Sequence, residues 1–141
     1  MMKTTTLHSY ISFNGNAAEA IDFYKAVFDA TVTSNTFGEF AESMPSEPED
    51  ANKIMHAFIK NEHGVEFMLS DTPSSMTYSD GKRVVLSLSG DDEVMLRQYW
   101  DRLIEGGTID VPFEMAPWGD AYGALTDKFG VGWMINVGAA E

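Results

Sequence analysis

The chain has 141 residues, of which 44% are hydrophobic, 12% aromatic and 22% charged, the makeup of one folded domain rather than of a disordered polymer. Its 22 acidic against 9 basic residues give a formal net charge of -13, which speaks against nucleic acid and anionic membranes as partners, since both are met by clustered Lys and Arg. The absence of cysteine excludes disulfides, thiolate metal sites and a cysteine nucleophile together.

In chain order, Met1 to Thr6 contains no apolar stretch of signal-peptide length, and no window reaches the roughly eighteen apolar residues of a membrane span. A cytoplasmic protein is the expectation. Leu7 to Phe13 alternates as a strand, with Leu7, Ile11 and Phe13 on one face and His8, Tyr10 and Ser12 on the other. Asn14-Gly15 breaks it. Asn16 followed by Glu19 resembles a capping box, and Ala17, Ala20, Ile21, Tyr24, Val27 and Phe28 recur at helical spacing, predicting a helix over Ala17 to Phe28.

Thr31 to Thr36 is β-branched and reads as a strand, while Phe37 to Lys53, rich in Glu, Pro, Ser and Asp, reads as a surface excursion. Ile54 to Asn61 and Val65 to Ser70 flank His63-Gly64 and predict a hairpin with a tight turn. Parity places His56 with Ile54 and Phe58, against Met55, Ala57 and Ile59.

After a polar loop from Asp71 to Gly81 the order repeats. Lys82 to Leu88 is a strand, with Val84, Leu86 and Leu88 alternating against Arg83, Val85 and Ser87. Ser89-Gly90-Asp91 opens a helix whose apolar stripe is Leu96, Tyr99, Trp100, Leu103 and Ile104, and Gly106-Gly107 closes it. Ile109 to Met115, Ala121 to Thr126 and Trp133 to Val137 supply three further strands. Gly119 and Gly123 read as residues that let the chain bend before the seventh strand.

The expected fold is therefore α+β, one domain over 1–141 made of two β-α-β-β-β units, at about 5–71 and 82–138. Each unit offers a sheet with one face covered by its helix, and two such units form paired curved mixed sheets around a cavity. A ferredoxin-like fold would supply two strands per half after the helix and its first strand, and the hairpins at Ile54 to Ser70 and Ala121 to Val137 decide against it.

Four segments carry a family resemblance: Tyr10-Ile-Ser-Phe-Asn-Gly-Asn-Ala-Ala-Glu-Ala-Ile-Asp-Phe-Tyr24, Met68-Leu-Ser-Asp71, Trp118-Gly-Asp-Ala-Tyr-Gly123 and Thr126-Asp-Lys-Phe-Gly-Val-Gly-Trp-Met-Ile-Asn136. Together, in order and over nearly the whole chain, they resemble the PhnB-like branch of the vicinal oxygen chelate (glyoxalase/bleomycin resistance protein/dioxygenase) superfamily. The resemblance implies the inter-sheet cavity, a small-molecule ligand and a homodimer. It spans metal-dependent isomerases and dioxygenases, thiol transferases acting on fosfomycin, and metal-free proteins that sequester bleomycin. A methyltransferase label attached to PhnB-like proteins finds no support in the residues, since no glycine-rich turn between a strand and a helix cradles a nucleoside cofactor.

Metal-dependent relatives place a ligand on the first strand of each unit and a carboxylate on its last. His8 falls at the first of these positions. By strand count its second-unit counterpart is Arg83, which has no lone pair to donate, and the carboxylate places fall on Met134 and on Met68 or Ser70. No cofactor is expected on this count, with a divalent metal at His8, or at a displaced site of His56 with Glu66 or Glu114, as the minor alternative.

The residues expected to line the cavity are Tyr10, His56, Met68, Ser70, Arg83, Trp118, Tyr122 and Met134. His56 is either a satisfied structural histidine or a polar group orienting a ligand. Trp118, in Pro117-Trp118-Gly119, either closes over a ligand or packs in a core or dimer contact. Arg83, facing an apolar cavity, needs an anion, supplied by Glu66 or by a ligand. The expected function is metal-free binding of a small molecule, an anionic one among the options; the alternative is a metal-dependent lyase, isomerase or dioxygenase.

Overall fold

The helix predicted over Ala17 to Phe28 forms over those residues (α1), because its stripe of Ala17, Ala20, Ile21, Tyr24, Val27 and Phe28 is buried along one side. In this computed structural model the described residues are 8–40, 47–76, 78, 84–117 and 119–138. They fall in two compact units, Met1–Asp80 and Gly81–Glu141.

In the first unit β1 (Ser9–Phe13), α1, β2 (Thr31–Thr36), β3 (Ile54–Lys60) and β4 (Glu66–Asp71) form a four-stranded mixed sheet of order β1-β4-β3-β2, in which β1 runs parallel to β4 and the other pairs are antiparallel. Helix α1 covers one face. Tyr24 and Phe28 meet Phe67 edge-on at 5.4 and 6.0 Å between ring centroids, over a floor of Ala57, Ile59 and Leu69. Each such large buried apolar side chain contributes about 1.5–3 kcal/mol.

The second unit repeats the plan. β5 (Leu86–Gly90), α2 (Glu93–Leu103), β6 (Thr108–Met115), β7 (Ala121–Thr126) and β8 (Gly132–Val137) give a sheet of order β5-β8-β7-β6, with β5 parallel to β8. Leu96, Tyr99, Trp100 and Leu103 of α2 are buried, as are Leu125, Trp133 and Ile135. The two four-stranded mixed sheets are the expected α+β architecture, and among the described residues no helix is long and apolar enough to cross a membrane.

Several local expectations are corrected. Asn16 makes no side-chain cap; the α1 N-terminus is served by Asp71 at the end of β4, whose Oδ1 accepts the N–H groups of Gly15 and Ala17 at 2.9 Å each. Its Oδ2 accepts the Ile54 N–H at 3.0 Å. A buried carboxylate thus ties helix start, β3 and β4 together and complements the helix dipole, which a capping rule confined to near neighbours cannot see. At α2 the local rule works one residue beyond the predicted opening: Asp92 accepts the Met95 N–H at 3.1 Å.

The β3–β4 connection is the tight turn expected at His63-Gly64: Glu62, His63 and Gly64 join Asn61 to Val65, closed by Asn61 N–H to Val65 O at 3.0 Å. Asn61 Oδ1 accepts the N–H groups of His63 and Val65, and Asp127 Oδ1 accepts those of Phe129 and Val131 in the β7–β8 loop. Gly64 and Gly130 follow at matching places with φ of 96° and 85°, the left-handed region that favours glycine. Asp127 also receives the Trp133 indole N–H, on its Oδ2 at 2.9 Å, fixing that loop to the core.

Gly123 lies inside β7 rather than before it. A Cβ there would stand 2.8 Å from both the Trp100 ring and the Phe113 backbone, so the glycine lets α2 seat its indole directly on the strand. The excursion after β2 holds two short 3-10 turns, Gly38–Phe40 and Pro48–Asp50. It is fastened by Asp50, which is 1% exposed and accepts the Ser74 N–H and hydroxyl at 3.1 and 2.9 Å while Lys53 Nζ lies 2.9 Å from its other oxygen. The Lys53 contact and the Ser74 hydrogen bonds hold the Asp50 carboxyl below its ordinary pKa against the effect of burial; the Asp50 contact raises that of Lys53.

Candidate functional site

Because one face of each sheet is spent on its helix, alternation along the strands delivers the remaining side chains to the opposite face. In the first sheet the register sets Tyr10 beside Met68, Met68 beside Phe58 and Phe58 beside Thr33, one row across all four strands. The next row holds Ser12 beside Ser70, with His56 beside Asn35. Tyr10, His56, Met68 and Ser70 are therefore brought to one face, as expected, and the Tyr10 and His56 rings stand 6.1 Å apart.

Ile54 leaves this set. Asn35 pairs with His56 and Thr36 with Ile54, so Met55 is an extra residue on β3, a bulge that turns Ile54 onto the buried side. Strict parity placed Ile54 with His56, and one inserted residue reverses it.

In the second sheet Ser87, Met134 and Ala124 share one row, and Ser89, Asn136, Tyr122 and Glu114 the next. Tyr122 and Met134 are thus both on the face away from α2, and the Tyr122 hydroxyl donates to Met134 Sδ at 3.2 Å. The Asn136 amide donates to Asp120 at 3.1 Å. Trp133 lies on the helix side, as its parity predicts. Arg83 and Trp118 lie outside the described residues.

Side chains that the sequence reading did not assign to the site join these faces: Phe58, Asn35, Ser87, Ser89 and Asn136. Phe58 and Asn136 alternate with buried residues, a signal present in the sequence; Asn35, Ser87 and Ser89 lie on strands with no buried residue and are placed by the register alone.

The register also tests the metal ligands. β1 and β4 end on the pair Phe13 and Asp71, and β5 and β8 end on Gly90 and Val137. Counting back equally from these ends matches His8 with Val85 rather than Arg83, and Glu66 with Gly132. A carboxylate does stand beside His8, at Glu66 rather than at Met68 or Ser70: His8 Nε2 and Glu66 Oε2 are 3.0 Å apart. In the second unit a Cβ on Gly132 would meet Val85 at 3.3 Å, so that place holds a valine against a glycine, with no donor atom in either side chain.

Among the described residues no group of three or more His, Asp or Glu side chains is placed to hold an ion. A displaced site built on His56 gains nothing from Glu66, which is engaged with His8. The four-ligand set does not fit this chain.

A family model for the Glyoxalase/Bleomycin resistance protein/Dioxygenase superfamily matches residues 6–135. The chain belongs to this superfamily. Protein YjdN of Escherichia coli (strain K12) is 32% identical over 141 residues, covering 93% of this chain and 94% of YjdN. The crystal structure of protein PA1353 from Pseudomonas aeruginosa is similar with a TM-score of 0.82 and 30% identity, over 95% of this chain and 98% of PA1353. A structure described as a putative 3-demethylubiquinone-9 3-methyltransferase, PhnB protein, from Bacillus cereus gives 0.74 and 24%, over 95% of this chain and 100% of that one. At that identity the likeness to the PhnB protein is one of fold.

Proposed function

We propose that this superfamily member binds a small organic molecule on the sheet faces turned away from its helices, as a homodimer and without a resident metal. The observation that supports this reading most is the composition of those faces. Tyr10, His56, Phe58, Met68 and Ser70 in one unit, and Tyr122 and Met134 in the other, are aromatic, sulfur-bearing or small polar groups, while the charged residues of those faces, Lys60 and Glu66 in one and Glu114 in the other, stand at or near strand ends. Aromatic rings and methionine sulfur adapt to an apolar ligand body, and His56 with Ser70 supplies hydrogen bonds that orient it.

Arg83, expected from the sequence to face the cavity, is the group that would receive an anionic substituent of the ligand. The metal-dependent lyase, isomerase or dioxygenase reading is the weaker one, since Val85 and Gly132 stand where two of four donors would be needed.

A thermal-shift screen of carboxylates, phosphonates and glycopeptide drugs tests the binding role. A ligand at a hundred times its Kd stabilises by about 2.7 kcal/mol, several degrees in a domain of this size. The reading predicts a hit whose shift is reduced in His56→Ala and Met68→Ala. Hits unaffected by both variants and by Tyr122→Ala would place binding elsewhere and reject it.

A further inference from the structure

The His8–Glu66 pair has a second property once the metal is set aside. Glu66 Oε2 lies 3.0 Å from Nε2, and the Phe58 ring meets the imidazole edge-on at 5.5 Å with an interplanar angle of 83°. The ring is thus held on two sides. Neutral imidazole carries one N–H, and an ionised carboxylate can only accept, so the proton in this contact belongs on Nε2. Nδ1 is then left as an acceptor, and among the described residues nothing donates to it. The His8 side chain retains 20% exposure, and Tyr10 and Met68 occupy the next row of the same face.

A fixed acceptor beside an aromatic and sulfur surface matches a ligand group with a hydrogen to give. We propose that His8 and Glu66 form a metal-free recognition dyad: Glu66 holds the imidazole as its Nε2–H tautomer, and Nδ1 accepts a hydrogen bond from an O–H or N–H group on a ring-bearing ligand. The dyad rests on the ligand-binding reading above and deepens it. The carboxylate orients, the imidazole recognises, and the surrounding face takes up the apolar body. The second unit, with Val85 and Gly132 at the matching places, offers only apolar contact there.

Long-range 1H–15N NMR of the histidine rings in the full chain, at about pH 8 where imidazole is ordinarily neutral, reads the tautomer directly. The dyad predicts the Nε2–H form at His8, and loss of that preference in Glu66→Ala while the amide spectrum keeps its dispersion. Phenol and anisole then serve as probes with the same ring, one with a donor and one without. Phenol should move the His8 Nδ1 resonance saturably, with an affinity about tenfold above that of anisole, the worth of one hydrogen bond.

An Nδ1–H form, a doubly protonated ring at this pH, equal responses to both probes, or stoichiometric capture of His8 by zinc chloride would overturn the dyad. If resonances of Tyr10, Met68 and Phe58 answer phenol while His8 does not, the dyad fails and ligand binding stands. If no resonance answers either probe and the thermal-shift screen is also empty, both readings fail.

Discussion

His8 and Glu66 meet at 3.0 Å on the first sheet, at the place where the second sheet sets Val85 against Gly132. The two units therefore differ in side-chain chemistry at this matching place. Glu66 is 39% exposed in its side chain, and polar contacts this accessible contribute about 0–1 kcal/mol. Glu66→Gln should therefore change the unfolding free energy by less than about 1 kcal/mol, which urea unfolding followed by circular dichroism checks. A loss several times larger would make the pair structural rather than functional.

Asp71 is the opposite case. Its carboxylate is buried and accepts three backbone N–H groups, from Gly15, Ala17 and Ile54. Removing it leaves donors without a partner, each costing about 1–3 kcal/mol unless water reaches it. Asp71→Ala should destabilise by roughly 3 kcal/mol in denaturant titration, with hydrogen exchange fastest at the start of α1.

Gly123→Ala tests the seating of Trp100. The added methyl would stand 2.8 Å from the Phe113 Cα, a backbone atom that cannot step aside alone. Overpacking of this kind costs about 1–3 kcal/mol. A matching drop in midpoint, with altered Trp fluorescence, is the expected result.

The fastening of the excursion by Asp50 gives a pH dependence whose sign follows from the shifts. Asp50 is lowered by its Lys53 contact and the Ser74 hydrogen bonds, so its contribution is present above the unfolded carboxylate value of about 3.9 and is lost as pH falls through the lower folded value. Lys53 is raised by Asp50, so its contribution is present below about 10.4 and is lost as pH rises through the higher folded value. The thermal midpoint of the wild type should fall on both sides of that window. In Asp50→Asn both limbs should flatten, since the lysine loses its partner as well.

The strands and helices were legible because their signals are local. α1, β2 and β7 occupy the predicted residues, since α1 and β7 have an uninterrupted period and β2 is a short β-branched run. The hidden parts depend on residues distant in sequence. Asp71 caps a helix that begins more than fifty residues earlier. The bulge at Met55, which separates Ile54 from His56, shows only in the pairing of β3 with β2. The candidate face was largely legible: strand parity alone places Tyr10, Met68, Ser70, Tyr122 and Met134. What parity could not supply was the stagger between strands, and so Val85 rather than Arg83 is the counterpart of His8, and Glu66 is its neighbour.

Metal content measured by mass spectrometry on protein purified without chelator, for the wild type and for His8→Ala, tests the metal-free reading most directly. The account predicts far less than one divalent ion per chain in both, and a thermal midpoint that ignores added zinc, manganese or nickel. One ion per chain in the wild type, lost together with thermal stability in His8→Ala, would contradict it.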